Sequence, residues 1–340
     1  MTQKALNKRW KDNKKGLEDR LVELMGLEIR KEEIPLDCER ISEEDKDRFT
    51  LIKIRYNTFP SQRIIRTSKG ELIYSDYKGD DEKKRSNINA FLLIPRGIKE
   101  KTKAILTLHQ HHGVFNIGKN EVVKEGVGDN NQKYALELVN KGYVVLAPDS
   151  IGFEERQLEH KLSRDSWGER YLFGDELLHG RTLLGKNMLD LIRGMDILES
   201  LNEVDSQRIG CMGHSLGGTQ TFYLTALDKR IKAAVSNCGI STISFIQKNH
   251  ICHHFSFYIP ELLKEGIDTP EILTLINPRH FLISATTNDK NFPIEGVEEL
   301  YRLGKELYNV QNLHLKIHEG GHQFPTEARE SAYKFLDENL

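Results

Sequence analysis

The sequence predicts an α/β fold: a mostly parallel central sheet with helices on both faces, preceded by antiparallel strands. Three observations carry that expectation. From residue 104 onward, short apolar runs at 104–108, 143–147, 209–212, 233–235, 281–284 and 313–317 alternate with stretches of helical periodicity. That alternation is the signature of a mostly parallel sheet covered by helices on both faces. One of the runs leads through a turn of small residues, Gly213-His214-Ser215-Leu216-Gly217, into a helix starting near Gly217. With 340 residues the chain can hold one large domain or two smaller ones, and either buries a sizeable core.

Residues 1–48 are highly charged, yet Leu17, Leu21, Leu24 and Met25 recur at helical spacing, so a short amphipathic helix is expected to pack on the body. This N-terminal helical extension is set apart from a main domain, 49–340. Runs at 50–56 and 90–94 read as antiparallel strands, with the polar segment Lys78 to Arg85 as the hairpin loop between them. Leu184, Met188, Leu191, Ile192, Met195 and Leu198 mark a long amphipathic helix just before the strand that leads to Ser215. Further helices are expected at 134–139, 297–307 and 328–336. Two intervals, 150–182 and 239–275, are too long for simple connections and are read as cap segments beside the ligand-binding edge of the sheet.

Lys and Arg total 49 against 51 Asp and Glu, a net charge of −2, so no basic field points to nucleic acid as a partner. The basic start lacks the apolar core of a secretory signal, and no run is long enough to span a bilayer, so a cytoplasmic protein is expected, with no membrane partner. Four scattered cysteines (Cys38, Cys211, Cys238, Cys252) suit reduced thiols rather than a disulfide scaffold.

The G-x-S-x-G pentapeptide nominates Ser215 as a nucleophile, which at neutral pH needs an imidazole as base and a carboxylate to orient it. The expected chain order is serine, acid, histidine, each following a strand. Asp289 follows the run 281–284, and His322 follows 313–317 after Gly320 and Gly321. Glu295 and Asp268 are less well placed as the acid, and His314 and His318 fall within or beside the last strand. An oxyanion needs two backbone N–H groups. One is expected from Leu216, the other from Gln110 or His111 in the loop His109-Gln110-His111-His112-Gly113. The histidines of that loop, with His250, His253 and His254, fit no zinc signature, and neither a metal nor a cofactor is expected.

With these residues in place, the chain from about residue 88 resembles the α/β-hydrolase superfamily, in particular its dienelactone-hydrolase-like and acetyl-xylan-esterase-like branch. The resemblance rests on the segments beginning at Ala147 (APDSIGFEER), Gly180 (GRTLLG), Val204 (VDSQRIGCMGHSLGG), Tyr258 (YIP) and Asn288 (NDKNFPIE). It implies the α/β-hydrolase fold, matches Ser215, Asp289 and His322 to the family triad, and places Asp149 and Arg156 near the site as a salt bridge or as substrate contacts. His109-Gln110-His111-His112 departs from the glycine-rich stretch of many relatives. The function expected is a serine carboxylesterase acting on a small to medium ester, with acetyl esters among the candidates. A prolyl-oligopeptidase-like peptidase or amidase and a non-catalytic ligand receptor are the rivals. Oligomeric state, a dimer included, is left open.

Overall fold

In the computed structural model the described residues are 9–10, 13–27, 34–59, 63–66, 69–75, 86–158, 165–249 and 254–340. Among them the strands are β1 (Glu39–Asp45), β2 (Phe49–Asn57), β3 (Arg63–Arg66), β4 (Leu72–Ser75), β5 (Asn87–Pro95), β6 (Thr102–Leu108), β7 (Val144–Pro148), β8 (Val204–His214), β9 (Ile231–Asn237), β10 (His280–Thr286) and β11 (Leu313–His318). The helices are α1 (Lys14–Met25), α2 (Asn120–Val123), α3 (Tyr134–Asn140), α4 (Asp165–Leu178), α5 (Leu183–Ser200), α6 (Leu216–Leu227), α7 (Ile243–Asn249), α8 (Thr269–Ile276), α9 (Ile294–Arg302) and α10 (Thr326–Asn339).

One sheet runs in the order β1-β2-β5-β7-β6-β8-β9-β10-β11. The pairs β1/β2, β2/β5 and β5/β7 are antiparallel, and from β7/β6 to β10/β11 every pair is parallel. Side chains alternate between two cores as the pleat requires. Ala104, Leu106 and Leu108 of β6 and Phe281, Ile283 and Ala285 of β10 face α1, α5, α6 and α8. Ile105 and Leu282 face the opposite layer, built by α3 and α10 through Tyr134, Leu138, Ala332 and Leu336.

The structure departs from the sequence expectations before residue 88. The charged run Glu39–Asp45 is a strand, so the N-terminal segment is not wholly helical. It was illegible because every residue in it is exposed and no apolar alternation marks it; its charges also block pairing of the sheet edge with another strand. The 50–56 and 90–94 runs do pair antiparallel, but a separate β3/β4 ribbon lies between them in sequence. The proposed hairpin loop, 78–85, lies outside the described residues.

Helix α1 packs as expected, burying Leu17, Leu21 and Met25. Its last carbonyl, on Met25, accepts from the Thr182 N–H and the Thr182 hydroxyl, both at 3.1 Å, and the same hydroxyl caps Gly185 at the start of α5. The electronegative end of α1 thus meets the electropositive end of α5. Arg9, Arg20 and the Trp10 indole all bond Glu265, tying α1 to the segment ahead of α8.

Candidate active site

The turn between β8 and α6 holds Ser215 at φ 56°, ψ −117°, a conformation costly for a residue with a Cβ. Its neighbours permit it. A Cβ on Gly213 would sit 2.5 Å from the Gly217 carbonyl oxygen, and one on Gly217 would sit 2.0 Å from that of Leu108. The two glycines let the turn close on itself and let the start of α6 press against the end of β6. The Ser215 N–H donates to the Asn237 carbonyl at 2.9 Å, which pins the turn to the end of β9.

Asp289 follows β10 and His322 follows β11, and the two loops are laced together: the Asn288 N–H donates to Gly320 O at 2.8 Å and the Thr286 hydroxyl to Gly321 O at 2.6 Å. His322 Nε2 lies 2.8 Å from Ser215 Oγ, and its Nδ1 lies 2.9 Å from Asp289 Oδ2. The other oxygen, Asp289 Oδ1, accepts from the N–H groups of Asn291 at 2.7 Å and Phe292 at 3.1 Å. Burial pushes this carboxyl up, but the His322 hydrogen bond and charge, with those two N–H groups, outweigh it and hold the group below its ordinary value. The Phe292 ring stacks near His322, ring centroids 6.1 Å apart.

The rival positions do other work. Asp268 caps α8 and also accepts from Ile243 N and Ser244 N. His314 meets Phe335 edge-on, and His318 stands 3.9 Å from Glu327. Among the described residues, no hydrogen bond or ion pair joins Glu295 to Ser215, Asp289 or His322.

Leu216 opens α6, in the first turn, where backbone N–H groups have no intrahelical acceptor. Its side chain is buried against Phe115 and Phe153. In the loop after β6, the Gln110 amide donates to Glu121 at 2.9 Å. Both ring nitrogens of two loop histidines are engaged by protein. His109 Nε2 accepts from Ser150 N at 3.1 Å while Nδ1 donates to Gln110 O, and burial pushes this imidazole down to about 4. His111 Nδ1 accepts from Gly113 N at 3.1 Å while Nε2 donates to Glu169 at 2.9 Å. Its ring stacks on His254 at 5.6 Å; His250 and His253 lie outside the described residues.

Several residues around the site escaped sequence reasoning. Asn237 donates to His214 Nδ1 at 2.8 Å and to Gln323 O at 3.0 Å, and its Oδ1 accepts from Ser284 at 2.6 Å, so one amide joins the ends of β8, β9 and β10 to the histidine loop. His214, the residue before the serine, is fully buried with its ring 4.8 Å from His322; burial, then that neighbour, pushes its imidazole well down. The Cys238 thiol is buried between Thr286 and the Gln323 carbonyl, and burial followed by the Asp289 charge raises it. None of these has a spacing signature; only the end of a strand hints at them.

Asp149 and Arg156 do not pair with each other's side chains. Asp149 binds Lys119, whose buried ammonium also reaches Glu154 at 2.6 Å and Glu155 at 2.8 Å. Arg156 donates to the Asp149 carbonyl at 2.9 Å and to Asp190 at 2.7 Å, entirely within the protein. Both side chains are fully buried in these contacts. The three carboxylates around Lys119 have metal-like spacing, but the ammonium occupies their centre.

Comparison with known proteins bears on the fold and the family. The protein YtaP of Bacillus subtilis (strain 168), which its name classes as a hydrolase, is 31% identical over 223 residues, covering 65% of this chain and 71% of YtaP. A glucuronoyl esterase from Solibacter usitatus superposes with a TM-score of 0.63 at 15% identity, over 94% of this chain and 91% of its own. Acetyl xylan esterase 1 from a Thermoanaerobacterium species gives 0.61 at 16%, over 99% and 98%. At such identities these structures establish the shared α/β-hydrolase fold. The model of the dienelactone hydrolase family matches residues 88–337, the stretch that contains the Ser215 turn and both loops that approach it, and the chain is therefore a member of that family.

Proposed function

We propose that the protein is a serine carboxylesterase with Ser215 as nucleophile, His322 as base and Asp289 as the carboxylate that orients it, and that its substrate is a small to medium ester such as an acetyl ester. The observation that carries this reading is the single imidazole spanning Ser215 Oγ at 2.8 Å and Asp289 Oδ2 at 2.9 Å. With Nδ1–H donated to Asp289, Nε2 presents its lone pair to the serine hydroxyl.

Nε2 takes the hydroxyl proton as Oγ bonds to the ester carbonyl carbon, and the oxyanion is met by the N–H of Leu216 and one from Gln110 or His111. Collapse expels the alcohol, which takes the proton from His322. Water attacks the acyl-serine with His322 again as base, releasing the acid and restoring Ser215. Nothing in these steps calls for a metal or a cofactor. Named esterases among the structural neighbours favour an ester over an amide.

Among the described residues no helix is long and apolar enough to cross a membrane. The free thiols of Cys38, Cys211 and Cys238 suit a cytoplasmic setting. The test pairs a short-chain aryl ester with a serine-directed phosphonate. The parent protein should turn over the ester and carry the label on Ser215, and Ser215→Ala should lose both. Full turnover by Ser215→Ala, or faster cleavage of a matched amide, overturns the reading.

A further inference from the structure

Beyond the three residues at Ser215, the structure joins the loop after β6 to the cap through one carboxylate. Glu169, in α4, is 5% exposed and has both oxygens committed. Oε2 accepts from His111 Nε2 at 2.9 Å, and Oε1 accepts from the Phe255 N–H at 3.1 Å. His111 belongs to the loop expected to supply the second oxyanion donor, and Phe255 to the second cap interval. A single side chain therefore ties its own helix to two other stretches of chain.

The bond fixes the His111 ring in position as well as in tautomer. Nδ1 accepts from Gly113 N, so the ring proton is on Nε2, where only an acceptor such as Glu169 satisfies it. The ring in turn meets Phe115 at 5.0 Å and Phe153 at 5.3 Å, both edge-on. Those two phenyl rings pack on Leu216, the residue expected to supply the first oxyanion donor. A continuous line of contact thus runs from the cap carboxylate through His111 and two phenylalanines to the start of α6.

From this juxtaposition we infer that Glu169 is a positioning residue for ester hydrolysis: acting through His111, it holds both proposed oxyanion donors at their working separation, so that cap placement sets the rate of the chemical step. The inference rests on the proposed esterase reading. Glu169 touches no reacting atom; its effect passes through packing and one hydrogen bond. Losing an oxyanion donor outright lowers kcat by roughly 10²–10³, so displacing one by a few tenths of an ångström is expected to cost a share of that, about 10–100-fold.

The test uses Glu169→Gln, His111→Phe and the double variant, with kcat expressed per Ser215 titrated by the phosphonate and thermal midpoints recorded in parallel. Glutamine keeps the size of the side chain but offers one good acceptor in place of two; phenylalanine keeps the ring and removes both of its hydrogen bonds. Each single variant is expected to lower kcat about 10–100-fold with KM within about threefold, and the double should be no more than about threefold worse than the poorer single, because both break one linkage. Should Glu169→Gln fail to fold, His111→Phe reads the same coupling from the other end. The inference fails if titrated sites keep their kcat, if the loss lies in KM alone, or if the two effects multiply. A parent protein with neither turnover nor label overturns the esterase reading and this inference together; normal parent turnover with unaffected variants overturns this inference alone.

Discussion

Replacing Asp289 by Asn tests the Ser215 arrangement without disturbing its shape. Asp289 Oδ1 accepts two backbone N–H groups, from Asn291 and Phe292, and Oδ2 faces His322 Nδ1. An asparagine must keep its carbonyl oxygen on the two N–H groups, because turning its amide the other way sets donor against donor and leaves buried groups unpaired at about 1–3 kcal/mol each. The amide NH2 then points at Nδ1, which must become an acceptor. The ring proton moves to Nε2, which now donates to Ser215 Oγ across the same 2.8 Å and can no longer take its proton. A tautomer fault of this kind lowers kcat about 10⁴-fold, which corresponds to about 5.5 kcal/mol of barrier. Steady-state hydrolysis of an aryl ester should show that loss in kcat with KM nearly unchanged, and thermal unfolding should show an intact fold. A folded Asp289→Asn protein with kcat within tenfold of its parent would refute the assignment of Asp289 as the orienting acid.

Three further outcomes follow from the geometry. Gly217→Ala drives a methyl to 2.0 Å from the Leu108 carbonyl oxygen, so urea unfolding should register a loss of more than about 2 kcal/mol and ester turnover should collapse with it. Lys119→Met strips the shared cation from Asp149, Glu154 and Glu155 and should cost about 3–5 kcal/mol near pH 7, shrinking in acid as the carboxylates protonate; equal losses at pH 7 and pH 5 would count against the network. His109 has its folded pKa pushed down to about 4 by burial, and His214 is also pushed down, so between pH 6.5 and about 4 the unfolded chain binds more protons than the native one. Stability should therefore be full above pH 6.5 and fall through that window, by up to about 3 kcal/mol for His109, and His109→Gln should flatten the pH dependence of the urea midpoint.

The inner strands of the parallel half were legible because β7, β9 and β10 are buried along nearly their whole length and read as apolar runs, whereas the edge strand β11 alternates Leu and Ile with His and Lys; α5 carries its pattern at 3.6 residues per turn. Glu39–Asp45 was not, since an edge strand with all its side chains in water has no hydrophobic signature to read. The serine, acid and histidine could be nominated because each sits at a strand end in a fixed chain order. Asn237 and His214 hold that arrangement together through hydrogen bonds between strands 23 positions apart in the chain, and nothing local announces such a pair. Asp149 and Arg156 show the converse: neighbours in a short motif, they are pulled to different partners, Lys119 and Asp190, that only the fold brings near.

The antiparallel strands at the start of the sheet carry a practical lesson for anyone trimming this chain. The family match begins at residue 88, whereas β2, at 49–57, covers the whole length of β5 on one side. Cutting to the matched stretch would strip β5 of that neighbour and lay open a row of unsatisfied amides beside Phe91, Leu92 and Leu93. Such a margin is adhesive. A shortened protein of this kind should precipitate or zip to copies of itself, and its silence in an activity assay would say nothing about Ser215.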